Sequence, residues 1–215
     1  MRWGGGVFMR WARAAGFVAA IALAGCTHSA GERAQGFMSP SINAAYIPLE
    51  GSAYLLMEGH CAGLVIGPGL AVTNAHNANL VDGDTIIGQS RNYDLLFFHT
   101  AQSARLETAE PFVNERVLAY GQGTDGELRV AQGVVKWLNA EVIARCGDCT
   151  VQKAFIFQAN AGPGFSGGPV IDASSGKLLG IVFGFRDEEH GGIEKLMYAY
   201  DMSRVNAEWA GIRAK

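Results

Sequence analysis

Residues Ala161 to Val170 read AGPGFSGGPV, one serine fenced by glycines and two prolines. The stretch admits two folds. Gly164-Phe-Ser-Gly-Gly168 satisfies G-x-S-x-G, the strand-to-helix elbow that raises a nucleophilic serine above a parallel sheet. It equally suits a glycine-rich bend between antiparallel strands, where Ser166 is either a nucleophile or merely a small turn residue. The rest of the chain has to decide, because a serine hydroxyl is a poor nucleophile without a base to take its proton.

The elbow reading fails downstream. It needs an acid and then a histidine after the serine, within alternating strands and helices. Only 49 residues follow Ser166, and their one histidine, His190, sits among charged residues. Upstream the chain is richer. Cys61 to His76, CAGLVIGPGLAVTNAH, reads as strand, turn and strand delivering a histidine just past Thr-Asn-Ala. Tyr93-Asp94-Leu-Leu-Phe-Phe98 places an aspartate at the head of an apolar strand. This ordered set resembles the chymotrypsin/trypsin-like serine peptidases, especially their bacterial exported branch, across roughly residues 50–200. There TNAH, DLA and GNSGGP mark His, Asp and Ser in that chain order.

The resemblance implies a peptidase acting on peptide or protein substrates through His76, Asp94 and Ser166. His76 would be the base, Asp94 would hold its tautomer, and Ser166 would attack. The glycines around Ser166 would let the backbone N–H groups of Gly164 and Ser166 converge as an oxyanion hole. The gap from His76 to Asp94 is 18 residues, short for the family, which implies a missing hairpin; Asp82 and Asp84 lie nearer but in a polar turn. Phe165 stands where the trypsin branch has an aspartate that pairs with a newly cleaved N-terminus. This predicts either a peptidase that needs no such cleavage or an inactive site. The alternative function is therefore a catalytically inactive trypsin-like barrel used for binding or assembly. The primary specificity pocket is expected from Asn160 and from Phe183, Gly184 and Phe185, without a counter-ion for Lys or Arg.

The surrounding sequence predicts an all-β body. Short apolar runs at 53–57, 63–66, 70–73, 85–87, 95–99, 117–120, 128–130, 134–138, 142–144, 153–158, 169–171, 178–183 and 195–200 are strand candidates. Turn signals at 67–69, 82–84, 124–126 and 174–176 punctuate them, and Gly is 29 of 215 residues, nearly double the usual ~7%. The expectation is two six-stranded antiparallel β-barrels, chymotrypsin-like, over residues 45–200, with halves at about 45–120 and 121–200. A C-terminal helix is expected over 201–215: Asp201 or Ser203 caps it, and Val205, Trp209 and Ile212 share one face.

The N-terminus has its own pattern. Arg2, Arg10 and Arg13 precede a short apolar run, Ala14 to Leu23, and no acid lies near. The run is too short to span a bilayer and fits a signal peptide. Leu23-Ala24-Gly25-Cys26 resembles the lipobox of bacterial lipoproteins, which implies acylation at Cys26 after removal of residues 1–25. Thr27, not being an aspartate, implies the outer membrane, on the periplasmic side. Residues 26–44, small and polar, read as a tether. Without the three leader arginines the chain has 14 Lys and Arg against 20 Asp and Glu, a formal charge of −6. Nothing in that balance suggests the basic face that nucleic acid needs, and no nucleic-acid partner is expected. In an oxidising compartment Cys146-Gly-Asp-Cys149 could close a disulfide across a hairpin. Cys61 is then odd and expected as a small buried hydrophobe. A zinc site from these cysteines and His60 lacks a second ligand pair, so no metal and no cofactor are expected.

Overall fold

The computed structural model describes residues 30–34, 39–54, 57–143, 151–187 and 193–214, with no side chain described for 52–58. Cys26 and the Cys146–Cys149 pair lie outside the described residues. The strands in chain order are β1 (Glu32–Arg33), β2 (Tyr46–Tyr54), β3 (Met57–Gly67), β4 (Leu70–Thr73), β5 (Ile86–Gln89), β6 (Leu96–His99), β7 (Arg116–Gln122), β8 (Leu128–Val142), β9 (Gln152–Ala159), β10 (Pro169–Asp172), β11 (Leu178–Asp187) and β12 (Lys195–Asp201). Two α-helices, α1 (Pro40–Ala45) and α2 (Met202–Arg213), and two 3-10 turns, Ala75–Leu80 and Gly83–Thr85, complete the described elements.

Every strand pairing is antiparallel. The C-terminal half orders its strands β8-β7-β10-β11-β12-β9, and β9 returns to β8, which closes a six-stranded barrel. The N-terminal half is a sheet ordered β2-β3-β4-β6-β5. Among the described residues it has five strands where six are expected. The short connection of 17 residues between His76 and Asp94 explains the difference, since two 3-10 turns leave room for β5 alone. The chymotrypsin-like, mostly β class with a C-terminal helix is what the chain adopts.

Strand β8 runs through the expected strands at 128–130 and 134–138 and ends at Val142, where a third was expected to begin. Bulges between Val135 and Trp137, and between Trp137 and Ala140, absorb the irregular pattern. Its length lets it serve three neighbours. The 128–134 stretch pairs with β7, the 133–142 stretch with β9, and β1 adds to it at 129–130.

The core follows the apolar faces. One cluster fills the C-terminal barrel with Phe155, Phe157, Phe165, Val170 and Leu179. A second, with Leu49, Ala71, Leu96 and Phe98, lies under the N-terminal sheet. The largest runs along the seam, where Leu64, Leu95 and Phe97 meet Tyr120, Phe183 and Tyr200. Helix α2 crosses that seam. Asp201 is its N-cap, accepting from the Arg204 N–H at 2.8 Å. Trp209 packs on Phe97 with ring centroids 5.3 Å apart, and Val205 is fully buried.

The tether expectation over 26–44 needs correction. Glu32–Arg33 is a strand of the body, and Ser39 caps α1 by accepting from the Ile42 N–H at 3.3 Å. Ile42 and Ala45 are fully buried. Polar composition misled here, because β1 is held by its backbone and α1 presents only one large apolar side chain to the core.

Candidate active site

His76 sits three residues beyond Thr73, the last residue of β4, with Asn74 and Ala75 between, on the first turn of a 3-10 segment. Asp94 lies just before β6, two strands' width of chain away but adjacent in the sheet, because β4 pairs with β6. The register brings the two together. Asp94 Oδ1 accepts from the His76 backbone N–H at 3.0 Å, and Oδ2 lies 2.5 Å from the His76 ring Nδ1. The carboxylate is almost wholly buried, at 2%, while the imidazole is partly open to solvent. Asp82 and Asp84 stay in their exposed turn, where Asp82 Oδ1 accepts from the Asp84 N–H.

The backbone of Asp94 is pinned from both halves. Its carbonyl accepts from Asn74 Nδ2 at 3.0 Å, and its N–H donates to the Tyr200 hydroxyl at 3.2 Å. That hydroxyl in turn donates to Gln152 Oε1. Burial pushes the Tyr200 phenol well above its ordinary pKa, so it stays neutral and keeps its proton for Gln152. Ser90 Oγ turns the approach to Asp94 by accepting from the N–H groups of Asn92 and Tyr93. It donates to Glu208 of α2 at 2.7 Å.

Ser166 lies in the turn that feeds β10. Its carbonyl accepts from the Ala62 N–H of β3 at 2.9 Å, which ties the serine turn across the seam. Thr73 Oγ1 donates to the Ala62 carbonyl at 2.7 Å, and Asn77 Nδ2 donates to Thr73 Oγ1 at 3.0 Å. The histidine turn and the serine turn therefore hang on one short network.

Gly164 is at φ +90°, and a Cβ there would stand 1.8 Å from the Gln122 carbonyl oxygen, so no other residue fits. Within the turn, the N–H groups of Phe165, Gly167 and Gly168 donate to Gly162, Val182 and Phe165 respectively. Those of Gly164 and Ser166 have no such backbone acceptor among the described residues. These two N–H groups are the ones expected to serve an oxyanion.

A cleft of about 520 Å³ gathers His76, Asp94, Ser166, Phe183, Gly184, Phe185, Tyr198 and Ile143 at its walls. Three of the four expected pocket residues line it. Asn160 does not. Phe183 offers little, since it is buried and stacks on Tyr200 at 4.0 Å between centroids. Phe185 is the exposed aromatic, with the Lys195 ammonium 4.4 Å above its ring. Tyr198 and Ile143 escaped the sequence reading. Tyr198 enters because it pairs with Gly184 across β11 and β12, a register known only once the barrel is closed. Ile143 is 81% exposed, and no pattern in the sequence marked it as part of a cleft. Cys61 is half-buried and its thiol is pushed up to about 11 by that burial.

The family model of the trypsin-like peptidase domain matches residues 61–181. No curated protein matches the chain. Among solved structures, the active form of the Rv3671c protease from M. tuberculosis aligns with a TM-score of 0.65 at 18% identity, over 85% of this chain and 88% of that one. The MamO protease domain from Magnetospirillum magneticum gives 0.60 at 15% identity, over 79% and 98%. The HtrA-type protease AlgW with a tripeptide gives 0.60 at 18% identity, over 76% of this chain but 58% of that one. At such identities the likeness is one of fold.

Proposed function

The chain belongs to the trypsin-like peptidase domain family, and from that premise we propose that it is a serine endopeptidase working through His76, Asp94 and Ser166. The observation that carries the reading is the buried Asp94 carboxylate against the His76 ring, on the same cleft as Ser166. In this reading Asp94 fixes the imidazole with its proton on Nδ1, which leaves Nε2 free to accept from the Ser166 hydroxyl. Ser166 Oγ attacks the scissile carbonyl, and the developing oxyanion takes hydrogen bonds from the Gly164 and Ser166 N–H groups. The imidazolium then protonates the leaving amine. Water repeats the sequence on the acyl-enzyme and frees Ser166.

Specificity falls to the wall of Phe185, Tyr198 and Ile143, which suits small or apolar side chains. Among the described residues that line the cleft the acidic side chain is Asp94, which is engaged with His76 and offers no counter-ion to a Lys or Arg side chain. The body is placed by a lipid on Cys26 at the periplasmic side of a bacterial outer membrane. Because Ala30 already packs on the barrel, four chain steps of ~3.5 Å separate it from Cys26. The catalytic domain then rides within roughly 15 Å of the bilayer surface.

The test is cleavage of a mixed-sequence peptide library by wild type and by Ser166→Ala, with palmitate labelling of wild type and Cys26→Ala. Cuts made by wild type only, after small or apolar residues, and label lost with Cys26 support the proposal. A folded wild type that cuts nothing would leave the inactive-barrel reading in its place.

A further inference from the structure

Phe165 stands between Gly164 and Ser166, and its ring is completely buried. The turn around it is made of Gly162, Pro163, Gly164, Gly167 and Gly168, so Phe165 is its one large side chain. Glycines bring little stiffness of their own. Beside its backbone hydrogen bonds, what holds the ring helps to hold the turn.

One side of the ring rests on β7. A Cβ added at Gly121 would stand 2.5 Å from Phe165 Cα and 2.6 Å from its Cγ, so backbone and ring lie in direct contact. The other side is covered by the N-terminal segment. Gly31 is at φ +77°, and a Cβ there would stand 3.0 Å from Phe165 Cζ and 2.9 Å from the Val130 carbonyl oxygen. Ala30 packs against the same cluster that contains Phe165. It also lies beside Gly162, whose added Cβ would meet the Ala30 Cβ at 3.4 Å.

The segment is fastened just beyond this contact. Glu32 and Arg33 extend the barrel along β8 in the stretch that β9 leaves open. The Ala34 N–H donates to the Leu128 carbonyl at 3.0 Å. The Arg129 guanidinium reaches the Gly31 carbonyl at 3.4 Å, and Arg33 pairs with Glu127 at 2.8 Å. These bonds secure the segment to β8 and leave Ala30 and Gly31 as its working end, pressed on the ring.

We propose that residues 30–34 are a positioning latch: they clamp the Phe165 ring against β7 and so hold the Gly164 and Ser166 N–H groups on one point. The latch rests on the serine-peptidase reading. It acts through Phe165 and touches no substrate. It also explains how the turn is ordered with phenylalanine in the place of a charged residue, since an apolar ring is held by packing and needs no ion pair.

The test uses the full chain with Gly31→Val, which forces a side chain onto the ring, and Phe165→Leu, which shortens the ring without adding bulk. Steady-state kcat and KM on a peptide substrate are read together with the rate of fluorophosphonate labelling and with Tm. Misplacing an oxyanion donor costs chemistry rather than ground-state binding. The expected result is a loss of about tenfold or more in kcat and labelling rate, with KM within about twofold of wild type. If Gly31→Val does not fold, Phe165→Leu carries the decision. Folded variants that label at the wild-type rate, or whose loss lies wholly in KM, would overturn the latch alone. A wild type that never labels would overturn the serine-peptidase reading and the latch with it.

Discussion

Replacing Asp94 by Asn isolates what the buried carboxylate does. The substitution is isosteric and leaves both backbone anchors in place, the Asn74 bond to the Asp94 carbonyl and the N–H bond to Tyr200. The amide oxygen still accepts from the His76 backbone N–H, now 3.0 Å from Oδ1. The amide NH₂ then faces His76 Nδ1, where Oδ2 stood at 2.5 Å. A donor there forces Nδ1 to accept, which puts the ring proton on Nε2 and leaves Ser166 without a base. A loss of tautomer of this kind costs ~10³–10⁴ in kcat, or roughly 4–5.5 kcal/mol of barrier. Steady-state kinetics on a cleaved peptide measures it, beside a thermal unfolding scan in which Tm should move by no more than a few degrees. Asp82→Asn and Asp84→Asn, in the exposed turn, should keep wild-type rates. Retention of a tenth or more of wild-type kcat by Asp94→Asn, or an equal loss in either turn variant, would rule out this role for Asp94.

Two further outcomes test the surroundings. Tyr200→Phe strips the oxygen that accepts from the buried Asp94 N–H, and leaving such a donor unpaired costs ~1–3 kcal/mol. For a chain of this size that lowers Tm by roughly 3–10 °C, with a fall in kcat smaller than that of Asp94→Asn and an unchanged KM; a Tm equal to wild type would contradict the assignment. Cys61 titrates near 11 in the folded chain against an ordinary 9.0. Its folded pKa is raised, so its contribution to stability is complete below pH 9 and is lost as pH rises through about 11. Iodoacetamide labelling of native protein should accelerate toward pH 11, and labelling at pH 8.5 as fast as in denatured protein would contradict it.

The placing of His76, Asp94 and Ser166 on one cleft was legible because each stands in a local run. TNAH, YDLLFF and GPGFSGG each lie at a strand end, and the antiparallel pairing of β4 with β6 does the rest. Spacing also placed Val205 with Trp209 on one face of α2 and narrowed its cap to Asp201 or Ser203, of which Asp201 is the one that accepts from the Arg204 N–H. What stayed hidden depends on partners distant in sequence. Ala30 and Gly31 carry almost no hydrophobic signal, yet they cover Phe165 because β8 has an open edge there. Ser39-Pro40 is a sound helix start, but the helix it begins is only six residues long and one large side chain deep. Strand β8 looked like two strands and the start of a third because Gly133 and Asn139 interrupt its apolar pattern. In the barrel Gly133 is pressed against the Gln158 carbonyl and Asn139 turns at φ +50° near a bulge, and the strand runs on through both. Asn160 fell outside the cleft and Tyr198 inside it for the same reason: which side chains reach a pocket between two strands is a matter of register, and register is set by closure of the whole barrel.

If Ser166 is a nucleophile activated by His76, the folded full chain reacts with a fluorophosphonate, and mass mapping locates the adduct. One adduct is expected, on Ser166, formed by wild type, absent from Ser166→Ala and formed by His76→Ala at a rate lower by about a thousandfold or more. A folded wild type that gains no adduct, or gains it on a residue other than Ser166, would contradict that role for Ser166.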